Sequence, residues 1–157
     1  MNIQLPNANE LSQALTALLR REVEATALKT PPAKPLTIAG LYHDGNGQLL
    51  GAVMADLPFA ARSGACFSLI PADVAQESIE AGVLDEGMRE NFAEVLNVDS
   101  RLFTRTGGAR VALKATCFPP AALPPEIANP AALTRSAHFE VNIDDYGSGI
   151  VRLCALS

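Results

Sequence analysis

The segment Leu84–Thr104, LDEGMRENFAEVLNVDSRLFT, constrains this chain more than any other part of it. At about 100° per residue, Met88, Phe92, Val95, Leu96, Leu102 and Phe103 fall on one stripe of a helix. Such a stripe is a core face, so the helix, read as running from Asp85 to Thr104, must lie against a layer of other elements. Asp85 is the expected N-cap. Glu90, Glu94, Asn97 and Arg101 fall on the opposite side. Glu94 and Asn97, one turn apart, therefore present a carboxylate and a carboxamide outward together from a rigid support. By itself E-x-x-N is a weak pattern, because polar residues on the outer side of a surface helix are ordinarily just solvated.

The rest of the chain supplies the layer. An apolar spacing at Leu11, Leu15, Leu18, Leu19 and Val23 predicts a first helix over Ala8 to Ala27, capped by Asn7 or Asn9; Asn7 has Glu10 three positions on. The run TPPAKP ends it. Strands are expected at Leu36–Tyr42, Gln48–Asp56 and Gly64–Ile70, the first two joined by the turn His43-Asp44-Gly45-Asn46-Gly47. A short helix follows at Pro71–Ala81, closed by Gly82. After the central helix come a strand at Ala109–Phe118 and a Pro/Ala-rich loop, Pro119 to Pro130, with room for one helical turn. Two alternating strands, Ser136–Ile143 and Ile150–Ala155, close the chain, with Ala137, Phe139, Val141 and Ile143 on one side of the first. Helix and three strands thus occur twice. The expected fold is α+β: one domain over residues 1–157, with a mostly antiparallel six-stranded sheet and helices on one face.

Composition narrows the function classes. The 157 residues are 48% hydrophobic and 18% charged, within the range of a folded domain with a real core. A net charge of −5, with Arg20–Arg21 the only adjacent basic pair, argues against nucleic acid as a partner. No apolar run approaches the roughly 18 residues of a membrane span, and MNIQLPNANELSQ lacks the pattern of a secretory signal, so a cytoplasmic location is expected. Cys66, Cys117 and Cys154 are odd in number, have no C-x-x-C spacing and sit in strand-like apolar runs, which predicts reduced, buried, quiet thiols. His43 and His138 have no partner motif for a nucleophilic cysteine or a zinc site. Gly45 and Gly47 read as turn glycines, because no helix begins after them to make a phosphate loop.

Glu94, Asn97 and, after twenty-two intervening residues, Pro120 match a pattern of Glu, two residues, Asn and a distant proline. With the order of elements around it, this resembles the CheC/CheX/FliY family of bacterial chemotaxis phosphatases, and the single E-x-x-N is most similar to CheX. The first helix, NANELSQALTALLRR, shows no second pair of the CheC kind. The resemblance implies hydrolysis of the aspartyl-phosphate of a CheY-like response regulator. Asn97 would orient the attacking water and Glu94 would engage a lysine of the partner. The chain would need no cofactor or metal of its own, the Mg2+ being carried by the response regulator. It also implies a homodimer, for which the apolar Ile150–Ala155, read as an edge strand, offers a surface. Two departures favour an alternative, a non-catalytic binding module of the same fold for a receiver domain or a flagellar or signalling partner. Glu90 stands where the family prefers Ser or Asp, and Asp99 falls on the sector of the apolar stripe, where an unpaired carboxylate is costly. A chance E-x-x-N on an unrelated α+β domain is the third reading.

Overall fold

Asn7 opens the first helix with a complete capping box. Its side chain accepts from the Glu10 N–H at 2.8 Å, and its own N–H donates to the Glu10 carboxylate at 3.1 Å. In the computed structural model, which describes residues 4–99, 111–128 and 135–155, the chain then runs α1 (Ala8–Leu19), β1 (Val23–Leu28), β2 (Ile38–His43), β3 (Leu49–Ala55), α2 (Leu57–Phe67), α3 (Ala72–Ala81), α4 (Glu86–Asp99), β4 (Ala112–Cys117), α5 (Pro125–Ala128), β5 (Arg135–Ile143) and β6 (Gly147–Ala155).

The described strands form one six-stranded sheet in the order β1-β5-β6-β3-β2-β4. Every neighbouring pair is antiparallel. The order has a hidden symmetry. Exchanging β1 with β4, β2 with β5 and β3 with β6 returns the same sequence of strands read from the other end. The chain is therefore two copies of helix plus three strands, led by α1 and α4, with each hairpin flanked by the other copy's first strand. The expected α+β class and pseudo-duplicated sheet are what the protein has.

The main core lies between the sheet and the helices. Leu11, Leu15 and Leu19 of α1, Phe59 of α2 and Met88, Phe92, Val95 and Leu96 of α4 pack on Val53, Phe139, Val141, Ile143, Val151 and Leu153. A smaller apolar cluster occupies the other face, where Ala39, Leu41, Ala52, Met54 and Cys154 are covered by Ile127 of α5. The central strands β2 and β3 are thus buried on both sides, which is why they read as continuous apolar runs.

Four sequence expectations need correction. The first helix does not reach Ala27: Arg20 turns left-handed at φ 55°, its N–H closing on the Thr16 carbonyl, and Val23–Leu28 is a strand. Helix α1 then serves that strand. The Thr16 hydroxyl accepts from the Val23 N–H at 3.1 Å, and the Ser12 hydroxyl accepts from the Ala25 N–H at 2.8 Å, so two outward donors of this edge strand are satisfied. Gly64–Ile70 is not a strand. Gly64–Phe67 belongs to α2, which is capped by Asp56 through the Phe59 N–H at 2.8 Å and carries Pro58 in its first turn. Ile150–Ala155 is not at an edge, since β6 lies between β5 and β3. Finally, Cys66 sits in a helix rather than a strand, and Cys117 is only half-buried.

Candidate functional site

Asp85 begins α4 as expected, its carboxylate accepting from the Met88 N–H at 2.8 Å. From there the two stripes separate cleanly. Met88 is 3% exposed, and Phe92, Val95 and Leu96 are 0% exposed. Glu86, Glu90, Glu94 and Asn97 are exposed. The helix continues through Asp99, so Asn97 stands within a regular turn. The side chain of Asp99 and the residues Arg101, Leu102 and Phe103 lie outside the described residues.

Two elements, α2 and β2, hold the inner side of α4. Phe92 meets Phe59 of α2 edge-on, with centroids 6.0 Å apart. Gly64 of α2 lets the two helices approach closely: a Cβ there would lie 3.3 Å from the Phe92 nitrogen. From β2, the buried Tyr42 hydroxyl donates to the Leu96 carbonyl at 2.6 Å. Gly40, on the same face of β2, leaves the space that the Leu96 side chain fills; a Cβ there would come 3.0 Å from Leu96 Cδ1. The residue just before Asn97 is thus gripped by both its side chain and its carbonyl.

The segment with Pro120 is tied to the same helix. Phe118 packs edge-on against Phe92, with centroids 6.4 Å apart. The Arg89 guanidinium lies over the Phe118 ring, 5.5 Å from its centroid, and donates to the Pro119 carbonyl at 3.1 Å. Arg89 also donates to the Leu84 carbonyl at 3.1 Å. All three motif residues, Glu94, Asn97 and Pro120, are exposed, and Pro120 follows a residue directly bonded to α4.

The outward face of α4 is acidic. Glu86, Glu90 and Glu94 recur at i, i+4 and i+8, all exposed. Like charges at this spacing destabilise a helix, so the column serves no purpose in holding α4 together. What the face can do chemically is present carboxylates to a cationic surface and an amide that both donates and accepts to whatever lies beside it.

The other candidate groups are placed elsewhere. Burial raises the Cys66 thiol above its ordinary value and pushes Cys154 up to about 11, so neither has thiolate character near neutrality. Burial, and then the charge of Arg152, lowers His138. His43 closes β2 at the turn, where Gly47 adopts φ 82° and the Asp44 carboxylate accepts from the Asn46 and Gln48 N–H groups. Among the described residues no group of three or more His, Cys, Asp or Glu could hold a metal ion, and no helix is long and apolar enough to cross a membrane. Sequence reasoning missed Tyr42 and Arg89. The first bonds a residue 54 positions away, the second one 30 away, and neither belongs to a local pattern.

No protein-family model matches the chain, and no curated protein matches it. Solved structures do. FliM in the FliM–SpeE complex from H. pylori superposes with a TM-score of 0.61 at 10% identity, over 95% of this chain and 81% of that one. FliY from Thermotoga maritima gives 0.55 at 12% identity, over 93% and 82%. CheX in its complex with CheY, BeF3 and Mg2+ from Borrelia burgdorferi gives 0.52 at 14% identity, over 93% and 92%. The antiparallel six-stranded sheet with α1 and α4 leading its two halves is the fold of the CheC/CheX/FliY family, shared with FliM middle domains.

Proposed function

We propose that this chain is a CheX-like phosphatase acting on the aspartyl-phosphate of a CheY-like response regulator in the cytoplasm, with Asn97 and Glu94 as its working residues. One observation carries the reading. Glu94 and Asn97 stand exposed on one side of α4, while Phe92, Val95 and Leu96 on its other side are fully buried. A chemistry that depends on placing a water requires such a pair, mobile toward solvent in nothing but its own side chains.

An acyl phosphate is already activated, so the protein need supply no nucleophile. The Asn97 carboxamide holds the attacking water by donating and accepting at once, which keeps the water's oxygen in line with phosphorus. The new P–O bond forms as the bond to the aspartyl oxygen breaks. The aspartate leaves as carboxylate, inorganic phosphate is released, and the water's proton passes to phosphate or solvent. Mg2+, which would neutralise charge on the phosphoryl group, would be held by the response regulator and not by this chain. Glu94 engages a lysine beside that phosphoryl group, which docks the partner and sets Asn97 over it.

The similarity to FliM favours a second reading, in which the same face binds a receiver domain or a flagellar protein without hydrolysis. The decay of a phosphorylated receiver domain, followed with and without this chain, separates the two. Catalytic acceleration at substoichiometric chain supports the phosphatase; binding with an unchanged decay rate supports the module.

A homodimer is part of the proposal. With β6 interior and two outward donors of β1, those of Val23 and Ala25, taken by Thr16 and Ser12, β4 is the edge at which a second copy would add. Ala115→Pro, in the middle of β4, should then shift the mass by light scattering from dimer to monomer; a wild-type monomer at micromolar concentration contradicts the dimer.

A further inference from the structure

We propose that Tyr42 is a positioning residue for Asn97; this rests on the phosphatase reading above. The inference begins with the peptide unit joining Leu96 to Asn97. Its six atoms, from the Leu96 Cα to the Asn97 Cα, are coplanar, so whatever fixes the Leu96 carbonyl fixes the plane that carries the Asn97 Cα. The Tyr42 hydroxyl donates to that carbonyl at 2.6 Å, from a side chain that is 0% exposed.

The bond ties the helix to the sheet at the residue next to Asn97, so the Leu96 carbonyl is held from outside the helix as well as within it. Tyr42 sits where both neighbouring strands shift register: β4 carries the extra residue Lys114 opposite Leu41/Tyr42, and β3 carries the extra residue Leu50 opposite Tyr42/His43. The Leu96 side chain, seated over Gly40, sets the depth of that turn of α4.

The hydroxyl is not needed to fill space. Tyr42 lies in the main apolar core, where a phenyl ring would pack equally well and would carry no polar atom to bury. What the hydroxyl adds is direction. Tyr42 touches neither the receiver nor the water; it acts through the orientation of Asn97.

The test compares Tyr42→Phe with the wild-type chain in steady-state dephosphorylation of a phosphorylated receiver domain, each in an Asn97 and an Asn97→Ala background. The expected result is a kcat lower by about tenfold, because sub-ångström misplacement is enough to lose that much in catalysis by positioning. KM, which Glu94 governs, should stay within about twofold. In the Asn97→Ala background, Tyr42→Phe should change nothing further, a non-additivity that general destabilisation does not produce. Gly40→Ala, which displaces Leu96 by other means, should give the same split between kcat and KM and keeps the test open if Tyr42→Phe folds poorly. Full activity in both variants overturns the inference while leaving the phosphatase standing, as does an equal loss in both backgrounds. A wild-type chain that does not accelerate decay overturns the phosphatase, and this inference with it.

Discussion

Gly149 of β6 lies against the backbone of Phe59 in the first turn of α2, so closely that a Cβ on Gly149 would come within 2.4 Å of the Phe59 nitrogen and Cα. The approach is fixed on either side: the Asp56 N–H donates to the Ile150 carbonyl at 3.0 Å, and Arg62 donates to the Ser148 carbonyl. Phe59 in turn is the ring on which Phe92 of α4 rests. Backbone cannot yield as a flexible side chain can, so Gly149→Ala should destabilise the fold by about 3 kcal/mol and lower Tm by about 6–12 °C for a chain of this size. Calorimetry showing a shift under about 2 °C would contradict this account of how α2 seats on the sheet.

Asp56 has two opposed effects that substitutions can separate. Its carboxylate caps α2 through the Phe59 N–H, yet burial raises its pKa above the ordinary carboxylate value, against smaller lowering contributions from the Phe59 and Ile150 backbone and from Arg62. A raised folded-state pKa means the folded chain holds the proton when the unfolded chain has lost it. The contribution to stability is therefore fully present below the unfolded pKa and is lost as pH rises through the folded one. Asp56→Asn keeps an acceptor for the cap and should flatten the pH dependence of stability just above pH ~4; Asp56→Ala should lose about 1 kcal/mol of stability at neutral pH. Urea unfolding at a series of pH values reads both, and an Asn variant with the wild-type slope would remove the role given to Asp56.

The acidic column on α4 should matter to association rather than to folding. Glu90→Gln removes like-charge neighbours at both Glu86 and Glu94 and should leave the helix slightly more stable. It should also slow association with the receiver domain at low salt. That effect should fade near 1 M salt, where the screening length falls to about 3 Å. Stopped-flow association rates that do not change with Glu90→Gln at low ionic strength would show that the column does not face the partner.

Thiol reactivity should rank the cysteines by burial. Cys154, pushed up to about 11, and Cys66, also raised, are buried; Cys117 is half-buried at the end of β4. A maleimide or disulfide reagent should modify Cys117 first, with the other two reacting only as the protein unfolds. Rapid modification of Cys154 in the native protein would contradict the burial of the second apolar cluster.

Much of this was legible in the sequence, and the exceptions have physical causes. The two stripes of α4, the Asp85 cap, the Gly82 stop and the β2–β3 and β5–β6 hairpins follow from periodicity and turn chemistry alone. Strand β1 was hidden because Val23 continues the helical spacing of α1, and the break at Arg20 is a left-handed residue that is not glycine. Helix α2 was hidden because its apolar residues Gly64–Phe67 imitate a buried strand, although Asp56 and Pro58 already spelled a helix start. That β6 is central depends on strand order, which hydrophobic pattern does not encode. Glu94 and Asn97 could be placed because 100° per residue fixes which side of a helix they take. Tyr42 could not, because its bond to Leu96 crosses from sheet to helix.

The most direct test of the central claim is the decay of a phosphorylated receiver domain in the presence of the wild-type chain, Asn97→Ala or Glu94→Ala, with folding of each variant checked by its thermal transition. Wild type should accelerate decay at substoichiometric concentration. Asn97→Ala should lose about 10²-fold or more in kcat with its fold intact, the usual consequence of removing a water-positioning or transition-state donor. Glu94→Ala should raise KM through loss of the intermolecular ion pair. An Asn97→Ala chain as active as wild type would contradict the account.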